Sequence, residues 1–388
     1  MDGRDFIVEN ARIVLADRII ETGWAAVADG RIADVGEGPP PERGYDFAGD
    51  TLIPGLIELH TDHLEPHLNP RPGVFWNPVA AVLAYDGQIA ASGITTVFDS
   101  LRVGDDSEPE DGDIRKSFSS ELFDLAGALK TAREADLTRA DHHLHLRCEV
   151  CAWNVVENAK KFLALHDVDL ISLMDHTPGQ RQFRDIEKLL VYWRRKLSRP
   201  DDELLKIMDR RVALHAQRAE PHRRSLVALA KAHETVLASH DDATPEHVAE
   251  AIGDGVAIAE FPTTHEAAAA SHAAGIHVLM GAPNVVRGGS HSGNVAATDL
   301  ALRGTLDILS SDYIPASLIM AAFALPHAVP NLPLHEAIRT VTLNPAIATG
   351  LTDRGSIAAG KRADLVRVRL ADNQPVVRAV WREGRRVV

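Results

Sequence analysis

The sequence predicts a (β/α)8 barrel carrying a small β-sandwich domain built from both chain ends, and three observations predict it. Short apolar runs alternate with longer helical stretches through the middle of the chain, the two ends are rich in short β runs, and polar residues recur where the middle runs stop.

The N-terminal runs Phe6-Ile7-Val8, Ala11 to Leu15, Trp24 to Val27 and Arg31 to Val35 are separated by Asn, Asp and Gly, and Asp29-Gly30 is a hairpin signal. The C-terminal runs Asp364 to Val368, Val376 to Trp381 and Arg385 to Val388 have the same style. Neither end alone supplies enough strands to bury two faces, so residues 1–52 and 353–388 are expected to fold as one domain.

Residues 53–352 are expected to form the barrel. Its strands are predicted at Leu56–His60, Ile94–Asp99, His143–Glu149, Leu170–Asp175, Val236–His240, Val256–Phe261, His277–Gly281 and Asp307–Ser311. Helices are predicted over Ser119–Ala135, Glu187–Lys196, Asp202–Ala219, Ser225–His233, Glu246–Ile252 and Glu266–Ala274, where apolar residues recur three and four apart. The stretch 186–224 is longer than one crossover requires and reads as a helical insertion. The acidic loop 104–113 reads as solvated.

Composition narrows the function. Hydrophobic residues make up 45% and charged residues 25%, ordinary values for a folded chain. A formal net charge of −14 argues against nucleic-acid binding, which normally needs a basic face. No apolar stretch approaches the roughly 20 residues that span a bilayer, and the N-terminal residues MDGRDFIVEN lack the charged-then-apolar layout of a signal peptide, so a cytoplasmic protein without a membrane partner is expected. The two cysteines, Cys148 and Cys151, supply no disulfide framework. Their C-x-x-C spacing lacks the second pair of a zinc ribbon and reads as incidental.

The chemistry lies at the strand ends. In a barrel the C-terminal ends of the strands form the active face, so polar residues ending apolar strands carry the information. Glu58-Leu59-His60-Thr61-Asp62 ends the first strand with His60 and Asp62 on one face. The third, His143-Leu144-His145-Leu146-Arg147-Cys148-Glu149, alternates polar and apolar, so its polar set faces inward with Glu149 at the active end. The fourth ends Asp175-His176, the fifth His240-Asp241-Asp242 and the eighth Ser311-Asp312. His60, Asp62, Glu149, His176, His240 and Asp312 make a nitrogen and oxygen set suited to zinc, manganese or a similar divalent ion, one or two per chain. Singly, each such residue is more often a hydrogen-bonded core group.

A glycine-rich run from Gly281 to Asn294 follows the seventh strand. Its glycines admit close backbone approach, and Asn284, Arg287, Ser290, His291 and Ser292 are candidate phosphate contacts, as are Arg102 and Arg181 on neighbouring strand ends. A plain flexible loop fits this run nearly as well. Gly355 to Lys361 matches the start of a P-loop, but Arg362 replaces the magnesium-holding hydroxyl and β signals follow, so a hairpin is expected.

Together, Pro54-Gly55-Leu56-Ile57-Glu58-Leu59-His60, the strand-end ligands and Gly355 to Leu365 give a layout that resembles the amidohydrolase superfamily over nearly the whole chain. The usual His-x-His after the first strand is here His60-Thr61-Asp62, and Glu149 stands where a bridging carboxylate can sit. Longer motifs, including Ser172 to Phe183, Ala238 to Thr244, Glu260 to Thr264 and Gly288 to Asn294, resemble a branch that releases pyrophosphate from a phosphonate-bearing ribose 5-triphosphate. The resemblance implies a metal-dependent hydrolase of phosphonate catabolism with a small phosphorylated sugar as substrate and Asp312 as general base; it is compatible with a homo-oligomer. Two rivals are a C–N hydrolase acting on a cyclic amide or N-acyl amino acid, and a metal-free scaffold.

Overall fold

A computed structural model describes residues 5–105, 118–183, 186–197, 200–290 and 293–388. His291, Ser292 and most of the acidic loop lie outside the described residues. Contact density divides the chain into two compact units, one of Met1–Asp99, Ala128–His143 and Leu279–Val388, the other of Ser100–Gly127 and Leu144–Val278.

The terminal sheet, in the first unit, is one mixed sheet of eight strands. Its order is Arg385–Arg386, Gln374–Arg382, Leu365–Ala371, Thr51–Pro54, Phe6–Val14, Ile19–Ala28 and Arg31–Glu37, with Tyr45–Asp46 beside Phe6–Val14. The two chain ends meet where Thr51–Pro54 pairs antiparallel with Leu365–Val368. Asp29 and Gly30 both take left-handed backbone, φ +50° and +75°, as the predicted two-residue hairpin requires. One face buries Val8, Ile13, Ala25, Ile32, Leu52 and Leu365, and Trp381 stacks on Phe6 and Phe47 at 5.7 and 6.0 Å between ring centres. The predicted apolar runs supply this core.

The barrel strands are Leu56–Thr61, Ile94–Val103, Asp141–Glu149, Val168–Met174, Val236–His240, Ile258–Glu260, His277–Gly281 and Ile308–Ser310. They form a parallel sheet in chain order. The eighth returns to the first: Asp62 N–H donates to the Asp312 carbonyl (2.8 Å) and Asp312 N–H to the His60 carbonyl (3.1 Å). The fold is therefore a (β/α)8 barrel with a separate sheet from both termini. Pro54 and Gly55 turn the chain from one sheet into the other. A Cβ at Gly55 would stand 2.1 Å from Thr95 Oγ1, so only glycine fits there.

Two expectations need correction. The predicted helices Asp202–Ala219 and Ser225–His233 are one helix, Asp201–Ala232, running through Pro221. Both halves bury apolar residues, Leu204 and Met208 in one and Leu226, Val227 and Ala230 in the other. That burial offsets the roughly 3 kcal/mol a helix-interior proline costs. The Gly281–Asn294 run is also not wholly a loop, because Ala282–Arg287 is a short helix closed by Gly288 at φ +78°.

In the first unit a buried imidazole ties together three segments. His142 Nδ1 meets Asp99 Oδ2 at 2.8 Å and Nε2 meets Asp86 Oδ1 at 3.2 Å, all three side chains being fully enclosed. Asp86, in the helix Pro78–Ala91, also accepts the N–H groups of Arg139 and Ala140. Burial pushes His142 down, but the carboxylates of Asp99 and Asp86 outweigh it and raise the imidazole to about 9 from an ordinary 6.5. The raised value makes this contribution to stability complete below about pH 6.5 and lost as pH climbs through 9. Replacing His142 by alanine takes the imidazolium from Asp99 and leaves Asp86 with the Arg139 guanidinium as its cation, so a loss of roughly 3 kcal/mol is expected in denaturant melts at pH 6.5. The loss should shrink as the pH is raised towards 9; an unchanged loss at both ends would contradict the pairing.

Candidate metal centre

In the second unit five polar side chains, Glu149, His176, His240, Asp241 and Glu260, gather at the C-terminal ends of barrel strands three to six. Glu149 ends the third strand, and both of its oxygens bond His176: Oε1 accepts the backbone N–H at 2.9 Å and Oε2 meets Nδ1 at 2.7 Å. Burial pushes the Glu149 carboxyl up, yet the His176 charge and bonds, with Arg102 nearby, overcome it and hold it at about 2. The same pairing raises His176 despite burial, which acts the other way and is the largest single influence.

His240 is arranged alike. Its Nδ1 lies 3.0 Å from Oε2 of Glu260, which ends the sixth strand, and that same oxygen accepts the Ser172 hydroxyl at 2.7 Å. Each imidazole therefore has Nδ1 anchored on a carboxylate and Nε2 left to face Asp241. Asp241 Oδ2 is 3.7 Å from His176 Nε2 and 3.5 Å from His240 Nε2. The ligand atoms of His176, His240 and Asp241 all lie within 4.8 Å of one another, and the two rings meet edge to face at 5.6 Å.

This donor set fits a divalent ion. A carboxylate holding the far nitrogen of a ligating histidine fixes the tautomer and aims the free nitrogen, the usual support for a metal ligand. Two imidazoles and a carboxylate suit zinc or manganese. Asp241 keeps its place through left-handed backbone, φ +57°, and Phe261, at +53°, packs its ring on His240 at 5.3 Å. Such backbone in non-glycine residues costs on the order of 1–3 kcal/mol and clusters at functional sites.

The first unit holds the remaining expected ligands. His60 is buried with Nε2 3.8 Å from Asp62 Oδ1, and Asp312, at φ +55°, is hydrogen-bonded to their backbone as described. Beneath them Glu58 accepts the N–H groups of His60 and Ser311 at 2.7 and 2.5 Å. Burial lifts its carboxyl to about 7 against these bonds.

The expected phosphate contacts are placed less uniformly. Arg181 is held between Asp242 and Glu250, with a further bond to the His240 carbonyl. Asn284 accepts the Ala297 N–H through its side chain, and Ser290 Oγ accepts that of Asn294. Arg287 is exposed at the end of its short helix. Arg102 lies close enough to Glu149 to lower its carboxyl.

Sequence reasoning missed Asp241 and Glu260. Glu260 ends an apolar strand, so the rule that found the others reaches it too. Asp241 sits between His240 and Asp242, and nothing in the local pattern separates the two aspartates.

A family model described as "Amidohydrolase family" matches residues 205–388. The alpha-D-ribose 1-methylphosphonate 5-triphosphate diphosphatase of Escherichia coli (strain K12) is 46% identical over 384 residues, 98% of this chain and 100% of that protein. Among solved structures, 5-methylcytosine deaminase from Klebsiella pneumoniae aligns at a TM-score of 0.65 with 15% identity, over 98% of this chain and 97% of that one. N-acetyl-D-glucosamine-6-phosphate deacetylase from Mycobacterium smegmatis aligns at 0.63 with 17% identity over 100% of both chains. At such identities these two establish the fold alone.

Removing the carboxylate behind His240 tests the geometry. Glu260→Gln is expected to weaken divalent-ion binding by about 10–100-fold, measured by competition with a chromogenic chelator, while the fold persists. Unchanged affinity would show that Glu260 does not aim the imidazole. The His176 proton gives a second test. Because Glu149 holds that imidazole protonated above its ordinary range, ion binding must displace a proton, and affinity should rise with pH until the ring is neutral. Calorimetry in buffers of different ionisation enthalpy should record the released proton, and His176→Gln should abolish it.

Proposed function

The chain belongs to the amidohydrolase family, and on that premise we propose that it is a metal-dependent diphosphatase. In this reading it hydrolyses alpha-D-ribose 1-methylphosphonate 5-triphosphate to the 5-phosphate and pyrophosphate. The observation that carries the reading is the pairing of a full-length relative of that named activity, 46% identical, with two carboxylate-anchored imidazoles that face Asp241 in this chain.

His176, His240 and Asp241 hold the ion in this reading. His60 and Asp62 are further donors that the family resemblance implies. A divalent ion supplies positive charge there, polarising a phosphoryl oxygen and lowering the pKa of water.

The chain's own residues do the rest. Glu149 and Glu260 orient the imidazoles. Asp312 accepts the proton that water gives up as its oxygen attacks the α-phosphorus in line and the bond to the departing pyrophosphate breaks. Arg102 and Arg287 offset the charge gathering on the phosphoryl oxygens. Arg181, already bonded to two carboxylates, positions the Asp242 segment beside His240 instead. A small phosphorylated sugar is a coherent substrate for such a set. Among the described residues no helix is long and apolar enough to cross a membrane.

The test is direct. Purified protein loaded with manganese or zinc should release pyrophosphate from the ribose 5-triphosphate and leave a panel of cyclic amides and N-acyl amino acids intact. Asp312→Asn should lower that rate by about 10²–10⁴-fold while retaining the ion. Hydrolysis of the amides in preference to the triphosphate would overturn the substrate assignment, and an unimpaired Asp312→Asn would overturn the base.

A further inference from the structure

A second cluster of ligand-type side chains lies in the second unit beside the one described. Cys151 follows the third barrel strand, Asp175 follows the fourth, and His215 projects from the inserted helix Asp201–Ala232. Cys151 Sγ lies 3.6 Å from Asp175 Oδ1 and 3.8 Å from His215 Nδ1, and His215 Nδ1 lies 2.9 Å from Asp175 Oδ2. The three ligand atoms all fall within 4.8 Å of one another. We propose that Cys151, Asp175 and His215 form a second divalent-metal site, selective for zinc-like ions, that fastens the inserted helix to the barrel strand ends.

The geometry separates this from a nucleophilic relay. In a Cys-His-Asp relay the thiol and the carboxylate address different nitrogens of the imidazole. Here both approach Nδ1, so the three donors surround a common point. Tetrahedral zinc with bonds of about 2.0–2.3 Å spaces its ligands about 3.3–3.8 Å apart, and both separations of the sulfur, to Asp175 Oδ1 and to His215 Nδ1, already lie in that range, while the imidazole meets the other carboxylate oxygen, Oδ2. That third separation closes at 2.9 Å through the hydrogen bond that an ion replaces.

The surroundings are those of a held site. The Thr177 hydroxyl is 3.1 Å from Cys151 Sγ, and the Thr177 N–H donates to Asp175 Oδ1 at 3.0 Å, orienting the carboxylate from behind. Asp175 and His215 line a cavity of about 290 Å³. A thiolate with an imidazole and a carboxylate favours zinc or cobalt over magnesium or calcium. The C-x-x-C pair in the sequence lacked the second pair of a zinc ribbon. The structure offers Asp175 and His215 in its place, and Cys148, fully buried, takes no part.

Cobalt(II) titration of the full-length metal-free chain tests this. Wild type should bind one more equivalent than Cys151→Ser and show a thiolate-to-cobalt charge-transfer band. Cys148→Ser should keep both, and His215→Ala should weaken that equivalent at least tenfold. A wild-type spectrum without the band at saturating cobalt overturns the proposal, even if Cys151→Ser fails to fold. So does a band that survives Cys151→Ser, or equal stoichiometry in the two proteins.

Discussion

The site rests on one interaction, the carboxylate of Glu260 against Nδ1 of His240. The interior of these barrel strands is polar, and a buried charge without a partner costs several kcal/mol. Glu260 meets that constraint by serving several neighbours at once: it accepts Ser172, meets His240 and stands 3.7 Å from His145 Nε2, while His145 Nδ1 contacts Ser100. The network fixes which nitrogen of His240 faces Asp241. The orientation of Nε2 is thus decided one layer down, by the buried Glu260, Ser172 and His145.

The strand ends add a second constraint. Asp241 and Phe261 take left-handed backbone immediately after a strand, and Asp312 does so two residues after one. A regular strand would carry the next side chain to the opposite face; the left-handed residue re-aims it. Placing strain where strands stop is compatible with a firm scaffold, since the sheet behind it, from Leu56 to Ser310, is almost wholly buried.

Much of this architecture is legible in the sequence because its periods are simple. Val236–His240 and His277–Gly281 are found residue for residue, for each is a short apolar run with polar bounds. The terminal sheet is legible through Asp29-Gly30 and the alternating runs around it. What the periods do not carry is long-range pairing. The proline at 221 reads as a break, and only the apolar residues buried on both sides of it keep the helix continuous. Glu149 reads as a ligand because it ends an inward-facing polar set, yet its oxygens are both engaged by His176, a partner chosen by the neighbouring strand. Asp175 is legible as a strand-end carboxylate, but its meeting with His215 is not, for the same reason: the two lie on different elements and come together only through the insertion.

In the proposed centre His176, His240 and Asp241 hold the ion through Nε2, Nε2 and a carboxylate oxygen. Anomalous scattering from crystals grown with manganese tests it most directly. A peak is expected within about 2.0–2.3 Å of those three atoms. A peak elsewhere, or His176 and His240 turned to offer Nδ1 instead, would contradict it.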